Sequence, residues 1–320
     1  MEVVIVGSIG YDDIETSVAS GSDLLGGSAV HAGLSSSFHL PLIPEKSARV
    51  GIIGPIGRDF KDSDKRILET RGIDISNIMN LDGKTFRWSG KYGGDMENVE
   101  TISTEINVLG DFNPVIPDTW NSPNVLFCAN THPLTQISVF DQCHNAGISA
   151  IDTFMLWIET EFESLSQAIR MADIAILNEE EACAIAGTDM IIHAIEPILS
   201  GTSLHGGESL GRGPSSLIIK RGASGVLAKF PCGLISLPAF PTSKIVDPTG
   251  CGDSFAGAFL ANISSNLSSL NDIEIVRNAL IHAIVTSSFS IGNLGSTSIQ
   301  NLERGIYHAR LDSYRRIVGL

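Results

Sequence analysis

The chain has 320 residues, 43% of them hydrophobic and 18% charged, with a formal net charge of −15; this fits a soluble globular protein with a sizeable core and argues against nucleic acid as the main partner, since phosphate backbones are held by basic patches. Its five cysteines are scattered, with no Cys-x-x-Cys pair, which points to a reducing compartment and no structural zinc. No stretch has the length and apolarity of a membrane span, and "MEVVIVGSIG" lacks the basic start of a signal peptide, so a cytoplasmic protein with no membrane partner is expected.

Taken in chain order, "EVVIVGSIG" is a β-branched run ended by glycine and reads as the first, buried strand. "GSAVHAGLSSSFHL" reads as a small-residue helix, "ARVGIIGPIGRDF" as a strand running into a Gly/Pro turn, and "DFKDSDKRILETRG" as an amphipathic helix closed by Gly72. Between Lys84 and Leu109 the pattern changes. "KTFRWSGKY" and "VETISTEINVL" alternate apolar with polar residues around "GGD", which predicts a hairpin over 85–106, set apart from the core with one wet face. That open face, with Phe86, Trp88 and Tyr92, offers a surface for a second subunit.

After the hairpin a βα rhythm takes over. "NVLFCAN", "SAIDTF", "IAILN" and "SLIIK" read as strands. "TQISVFDQCHNAG", the stretch to Ala172 and "EEEACAIAG" read as helices. This alternation predicts one domain over 1–320 with a parallel sheet and helices on both faces, and no internal repeat. Residues 200–216, "SGTSLHGGESLGRGPSS", are Gly/Ser-rich and long for a compact domain, so they read as a flexible insertion.

"SKIVDPTGCGDSFAGAFLANI" reads as a strand end, a glycine turn and a helix starting near Gly252 or Asp253. A helix N-terminus offers unpaired amides and the positive end of a dipole, so it holds anions. Glycines let the backbone come close. Asp253 then has two readings: a helix cap, or a base taking the proton of a hydroxyl that attacks a phosphoryl group held by the amides. No Gly-x-Gly-x-x-Gly opens a helix after the first strand and no Gly-x4-Gly-Lys-[Ser/Thr] occurs, which disfavours a dinucleotide-binding oxidoreductase and a P-loop kinase.

"DPTGCGDSFAGAF" resembles the C-terminal signature of the ribokinase (PfkB) carbohydrate kinase family, departing only in having Cys251 where the family has alanine. The resemblance implies a ribokinase-like three-layer α/β/α fold with a mostly parallel central sheet and a small β-sheet lid. It implies Asp253 as catalytic base and the amides of Gly250, Cys251 and Gly252 as the anion hole. "GSIGYD" and "LGGSAVHAG" are similar to the family's substrate motifs, which makes Asp12, Gly26, Gly27 and His31 candidates for substrate binding. His31 stands where the family has asparagine, and neutral imidazole can also donate and accept; its plain alternative is a packed helix histidine. "LNEEEACAIAG" is similar to the family's Asn-x-x-Glu, implying Asn178 and Glu181 in Mg²⁺ and phosphate handling, the metal held by Glu181 through water; the plain alternative is an acidic helix start. "LIIKRGASG" and "SIGNLGSTS" then imply Lys220, Gly222, Gly225 and Gly295 beside ATP, with Asp247 and Thr249 next to a monovalent cation, K⁺. The function implied is ATP- and Mg²⁺-dependent phosphorylation of a small carbohydrate-type substrate by a homodimer. A nucleoside kinase and a non-catalytic sugar sensor are the alternatives on the same fold.

Overall fold

The structure is a computed structural model that describes residues 1–43, 48–94, 96, 98–266 and 268–320. The first apolar run forms β1 (Val3–Val6), buried throughout; a strand with no polar alternation is stable only between two covered faces. A hairpin of β2 (Gly10–Glu15) and β3 (Ser20–Gly26) leads into α1 (Ser28–His39). β4 (Val50–Ile53) and β5 (Pro55–Ile56) precede α2 (Asp62–Thr70), beyond which Gly72 turns the chain at φ +82°. The short strands β6 (Ile73–Asp74) and β7 (Met79–Asn80) come before the hairpin of β8 (Phe86–Tyr92) and β9 (Val99–Glu105).

From β10 (Val125–Cys128) the chain alternates: α3 (Pro133–Gln142), β11 (Ile148–Asp152), α4 (Met155–Thr160), α5 (Phe162–Met171), β12 (Ile174–Asn178), α6 (Glu179–Ala186), α7 (Ile191–Ser200) and β13 (Ser216–Lys220). The meander continues with β14 (Val226–Phe230) and β15 (Gly233–Leu237). The helices α8 (Cys251–Ile263), α9 (Ile273–Ser290), α10 (Thr297–Gln300) and α11 (Arg304–Ile317) complete the chain.

Nine strands form one sheet in the order β15-β14-β13-β12-β11-β10-β1-β4-β6, parallel from β6 to β13 and antiparallel at β14 and β15. Successive residues of each strand point to opposite faces. Val3 and Ile5 therefore join the core under α1, α8, α9 and α11, while Val4 and Val6 join the core under α3, α5, α6 and α7. This is the expected three-layer α/β/α arrangement with a mostly parallel sheet. The chain leaves β1 toward β4 on one side and returns to β10 on the other, so strand order reverses at β1. Ligand crevices in open α/β sheets lie at the carboxyl ends of strands at such a switch point.

Helices α1 and α8 cross at close range. A Cβ built on Gly257 would lie 2.2 Å from the Ala32 carbonyl oxygen, and the Ser36 hydroxyl donates to the Gly257 carbonyl at 2.9 Å. Small residues here let the two backbones touch.

The hairpin expected over 85–106 forms, although Asp95 and Glu97 lie outside the described residues. It is half of a four-stranded sheet, order β3-β2-β8-β9, whose other half comes from residues 10–26. The open face expected for Phe86, Trp88 and Tyr92 is corrected by the structure. All three are half-buried, and Tyr92 on this face meets the Thr249 hydroxyl at 3.0 Å, so the face looks toward the body of the protein; β9 is the exposed strand.

Two other segments differ from the sequence reading. Residues 243–247 are not a strand end: the sheet stops at Leu237, and the Val246 amide donates instead to Ile291 O at 2.8 Å. Pro238 and Pro241 lack the donors a strand would need. Residues 200–216, expected to be a flexible insertion, are tied to the body. Arg170 donates to the carbonyls of Gly201, Gly207 and Gly211, and Leu204 is only 3% exposed. Among the described residues no single helix is long and apolar enough to cross a membrane.

Gly257→Ala should lower stability by about 1–3 kcal/mol, the usual cost of overpacking a tight contact, read as a lower urea midpoint at unchanged slope. An unchanged midpoint would mean that the α1–α8 crossing relaxes freely.

Candidate active site

Asp253 is the third residue of α8 and not its cap; Gly250 is the cap, in the left-handed region at φ +68°. A Cβ on Gly250 would lie 2.3 Å from the His31 ring, so both the backbone angle and the close packing require glycine here. Of the three amides expected to hold an anion, that of Cys251 closes a turn onto Pro248 O at 3.2 Å. Among the described residues the amides of Gly250 and Gly252 have no acceptor. The Cys251 thiol packs inward, 3.7 Å from Ser287 O, and burial raises its pKa.

Lys220, the last residue of β13, reaches this helix end. Its Nζ lies 3.0 Å from Asp152 Oδ2, and a Cβ on Gly252 would meet Nζ at 3.0 Å. Burial works against the lysine's charge, but Asp152, Glu181 and Asp253 outweigh it and hold the group at about 12. Asp253 is pushed well above the usual carboxylate range, first by burial and then by Asp152, with Lys220 opposing. Asp152 ends β11 and is 4% exposed. The sequence reading overlooked it. Its signal was a charged residue closing an apolar strand run, where α/β crevices lie.

Asn178 and Glu181 form a reciprocal capping box at the start of α6. The Asn178 side chain accepts from the Glu181 amide at 2.7 Å, and Glu181 Oε2 accepts from the Asn178 amide at 2.8 Å. The pair thus has a structural task of its own. Glu181 is buried, and burial together with Asp152 pushes its pKa up, against Lys220 and the Asn178 hydrogen bond. Gly222 and Gly225 shape the β13–β14 turn at φ +50° and +92°. A Cβ on Gly225 would collide with Leu237 O at 2.1 Å.

On the lid side, a Cβ on Gly26 would lie 2.0 Å from Asp12 Oδ2, and one on Gly27, at φ +97°, would lie 2.5 Å from Ser8 O. Both glycines are therefore demanded by the chain's own packing. Asp12 is 4% exposed and is raised to about 8 by burial, then by Asp247, Asp253 and Asp13. His31 is 2% exposed, neither ring nitrogen has a partner among the described residues, and burial lowers its pKa to about 4. It is a neutral imidazole with unused hydrogen-bonding capacity beside Gly250.

Asp247, expected beside a monovalent cation, works as a strut. Its Oδ1 accepts from the Thr249 amide at 2.9 Å and its Oδ2 from the Gly295 amide at 2.7 Å. The Thr249 hydroxyl meets the Tyr92 hydroxyl at 3.0 Å, which joins the small sheet to the turn before α8. Tyr92 was not among the expected site residues, since no local pattern reveals a contact 157 residues away.

Residues 126–298 match the family model described as pfkB family carbohydrate kinase. A cytidine kinase of Thermococcus kodakarensis is 27% identical over 271 residues, covering 82% of this chain and 89% of the relative. Among solved structures, the ribokinase of Giardia lamblia has a TM-score of 0.77 at 17% identity and covers 98% of each chain. A Burkholderia thailandensis nucleoside kinase in complex with inosine has a TM-score of 0.75 at 18% identity, again over 98% of each chain. At such identities the structural likeness establishes the ribokinase-like fold.

Asp12 titrates near 4 in an unfolded chain and near 8 in the folded one. Folding therefore takes up a proton between these values, and the cost of burying Asp12 grows as pH rises from about 4 to about 8, then levels off. Asp12→Asn should be more stable than the parent in thermal melts, by a margin that widens over this window. A margin independent of pH would contradict the assignment.

Proposed function

The chain belongs to the pfkB family of carbohydrate kinases, and from this membership and the site geometry we propose that it transfers the γ-phosphoryl group of ATP to a hydroxyl of a small sugar- or ribose-bearing acceptor, with Asp253 as the base. The observation that carries this reading is Asp253 in the first turn of α8, behind a left-handed Gly250 and next to the unpaired Gly252 amide. A free amide at a helix start attracts the anionic group. A carboxylate with a raised pKa is suited to take up a proton near neutral pH.

Asp12 and His31 bind acceptor hydroxyls, one as a buried carboxyl and the other through its unpartnered nitrogens. The Mg²⁺ expected with ATP fits the donors present, because the buried Glu181 supplies carboxylate oxygen at the start of α6. Among the described residues no three metal-binding side chains form a cage, and Mg²⁺ in such sites rests on one or two carboxylates with phosphate oxygens and water. When bound, it would neutralise phosphate charge. The lid excludes water, so that phosphoryl transfer outcompetes ATP hydrolysis.

For the acceptor class we favour a nucleoside. Asp12 pairs directly with Trp88 across β2 and β8, so the two side chains share one face of the lid; Tyr92, four residues on, reaches Thr249 from that same face. A Cβ on Gly90 would lie 2.1 Å from the Trp88 ring. The indole thus lies flat along the strand and offers a half-buried aromatic surface beside the carboxyl that holds the hydroxyls. A planar base joined to ribose fits that pairing of contacts. The cytidine kinase relative supports the same reading.

An ATP-consumption screen over nucleosides and neutral sugars tests the proposal, with turnover expected on a nucleoside and none on any acceptor overturning it. Asp253→Asn should keep nucleotide binding while lowering kcat by ~10²-fold or more. Near-parental turnover would remove Asp253 as the base.

Trp88→Ala should raise KM for the nucleoside roughly tenfold, in line with the ~1–3 kcal/mol of base–aromatic stacking. Equal kinetics in steady-state assays would instead favour a plain sugar.

A further inference from the structure

We infer that Lys220 is a catalytic residue of the transfer step, its ammonium fixed against Gly252 to donate to the transferring phosphoryl group, and that Asp152 is the positioning residue that holds it there. The inference rests on the phosphotransfer reading above and extends it to Lys220, expected only to lie beside ATP, and to Asp152, which the sequence reading did not mark.

Three observations carry it. First, Nζ lies 3.0 Å from Asp152 Oδ2 and packs on Gly252, whose amide is unpaired. The cation therefore sits at the helix end that would receive the anion, and a larger residue than glycine at 252 would press on it. Second, the pair does not join neighbouring strands. Asp152 ends β11 and Lys220 ends β13, with β12 between them. The lysine side chain crosses the carboxyl edge of the sheet, past the end of β12. Third, several carboxyl groups gather around one ammonium. Asp152 and Glu181 are almost fully buried near one ammonium, and Asp253 shares the same field.

A buried ion pair adds little net stability, because desolvation offsets the attraction. Gathering further carboxyl groups around one lysine adds to that cost, since burial and Asp152 raise the pKa of both Glu181 and Asp253. The arrangement becomes favourable when a phosphoryl group adds its own negative oxygens at Gly252 and draws on the lysine. A cation fixed in place needs no reorganisation as charge shifts during transfer, which is where electrostatic catalysis gains most.

In the step itself the acceptor oxygen bonds to phosphorus as the bond from phosphorus to the ADP oxygen breaks, and the electron pair leaves with ADP. Asp253 takes the acceptor proton. Lys220 donates a hydrogen bond to a non-bridging oxygen throughout and gives up no proton.

The test uses the whole protein and two readouts. Calorimetric titration with ADP, with and without aluminium fluoride as a mimic of the transferring phosphoryl, needs no acceptor. Lys220→Met should bind ADP within about threefold of the parent but lose the extra affinity given by aluminium fluoride. Its kcat should fall ~10²-fold or more, with KM for ATP changed only a few-fold, and Lys220→Arg should restore part of the loss. Asp152→Asn keeps the shape and removes the charge that anchors the lysine. It should lower kcat and the aluminium fluoride effect in the same direction, which keeps the test open if Lys220→Met fails to fold. Variants that melt lower but keep kcat and the full aluminium fluoride effect would make the pair a structural strut and overturn the inference. A parent protein with no affinity for ADP would overturn the kinase reading itself, and this inference with it.

Discussion

The contact on which the site depends is the crossing of α1 and α8. Gly257 leaves no room for a Cβ against the Ala32 carbonyl, and seven residues earlier Gly250 leaves none against the His31 ring. These two contacts set the height and rotation of α8 above the sheet. The free amide of Gly252 and the carboxylate of Asp253 inherit their positions from them. Side chains larger than glycine at either point would displace the helix start. The small-residue character of "GDSFAGAFLA" is thus a packing requirement first, and its functional consequence follows from geometry.

Electrostatics at the crevice runs against what stability alone would choose. Asp12 is raised to about 8 by burial and by three other carboxylates, and burial with Asp152 raises both Asp253 and Glu181. Like charges gathered out of water raise the free energy of the fold, and such clusters concentrate at functional sites. Lys220 is the counterweight. The overall charge of −15 hides this local design, because an acidic protein can still hold an anion with a helix end and one fixed ammonium.

The small sheet uses its two faces for different ends. On one face the Tyr11 hydroxyl donates to Asp64 at 2.7 Å, while Lys61 and Arg87 stand over its ring at 5.0 and 5.2 Å. Asp23 ties the two cations together. This face fastens the sheet to α2. The other face carries Asp12, Trp88 and Tyr92 toward the crevice, and Tyr92 meets the turn that starts α8. One sheet is thereby both anchored and in touch with the site, which suits an element that covers bound substrate.

Local sequence determined a good deal of this. Apolar runs such as Val3–Val6 specify buried strands because continuous burial excludes polar alternation. The βα rhythm specifies the layers, and the glycine-flanked Asp253 marks a helix start that can hold an anion. Those are properties of neighbouring residues, and a chain cannot hide them. Tertiary structure decided what depends on distant residues meeting. It put residues 10–26 beside the hairpin, since β2 finds β8 across 70 residues of chain. It turned Phe86, Trp88 and Tyr92 inward, since which face of a strand is covered depends on what lies beside it. It made Asn178 and Glu181 a capping box and Asp247 a strut, roles that the residue types allow but do not impose. Above all it brought Asp152 to Lys220, 68 residues apart. Neither residue carries a mark of the other, because the link between them is the parallel sheet, whose strand ends converge only once the whole fold has formed.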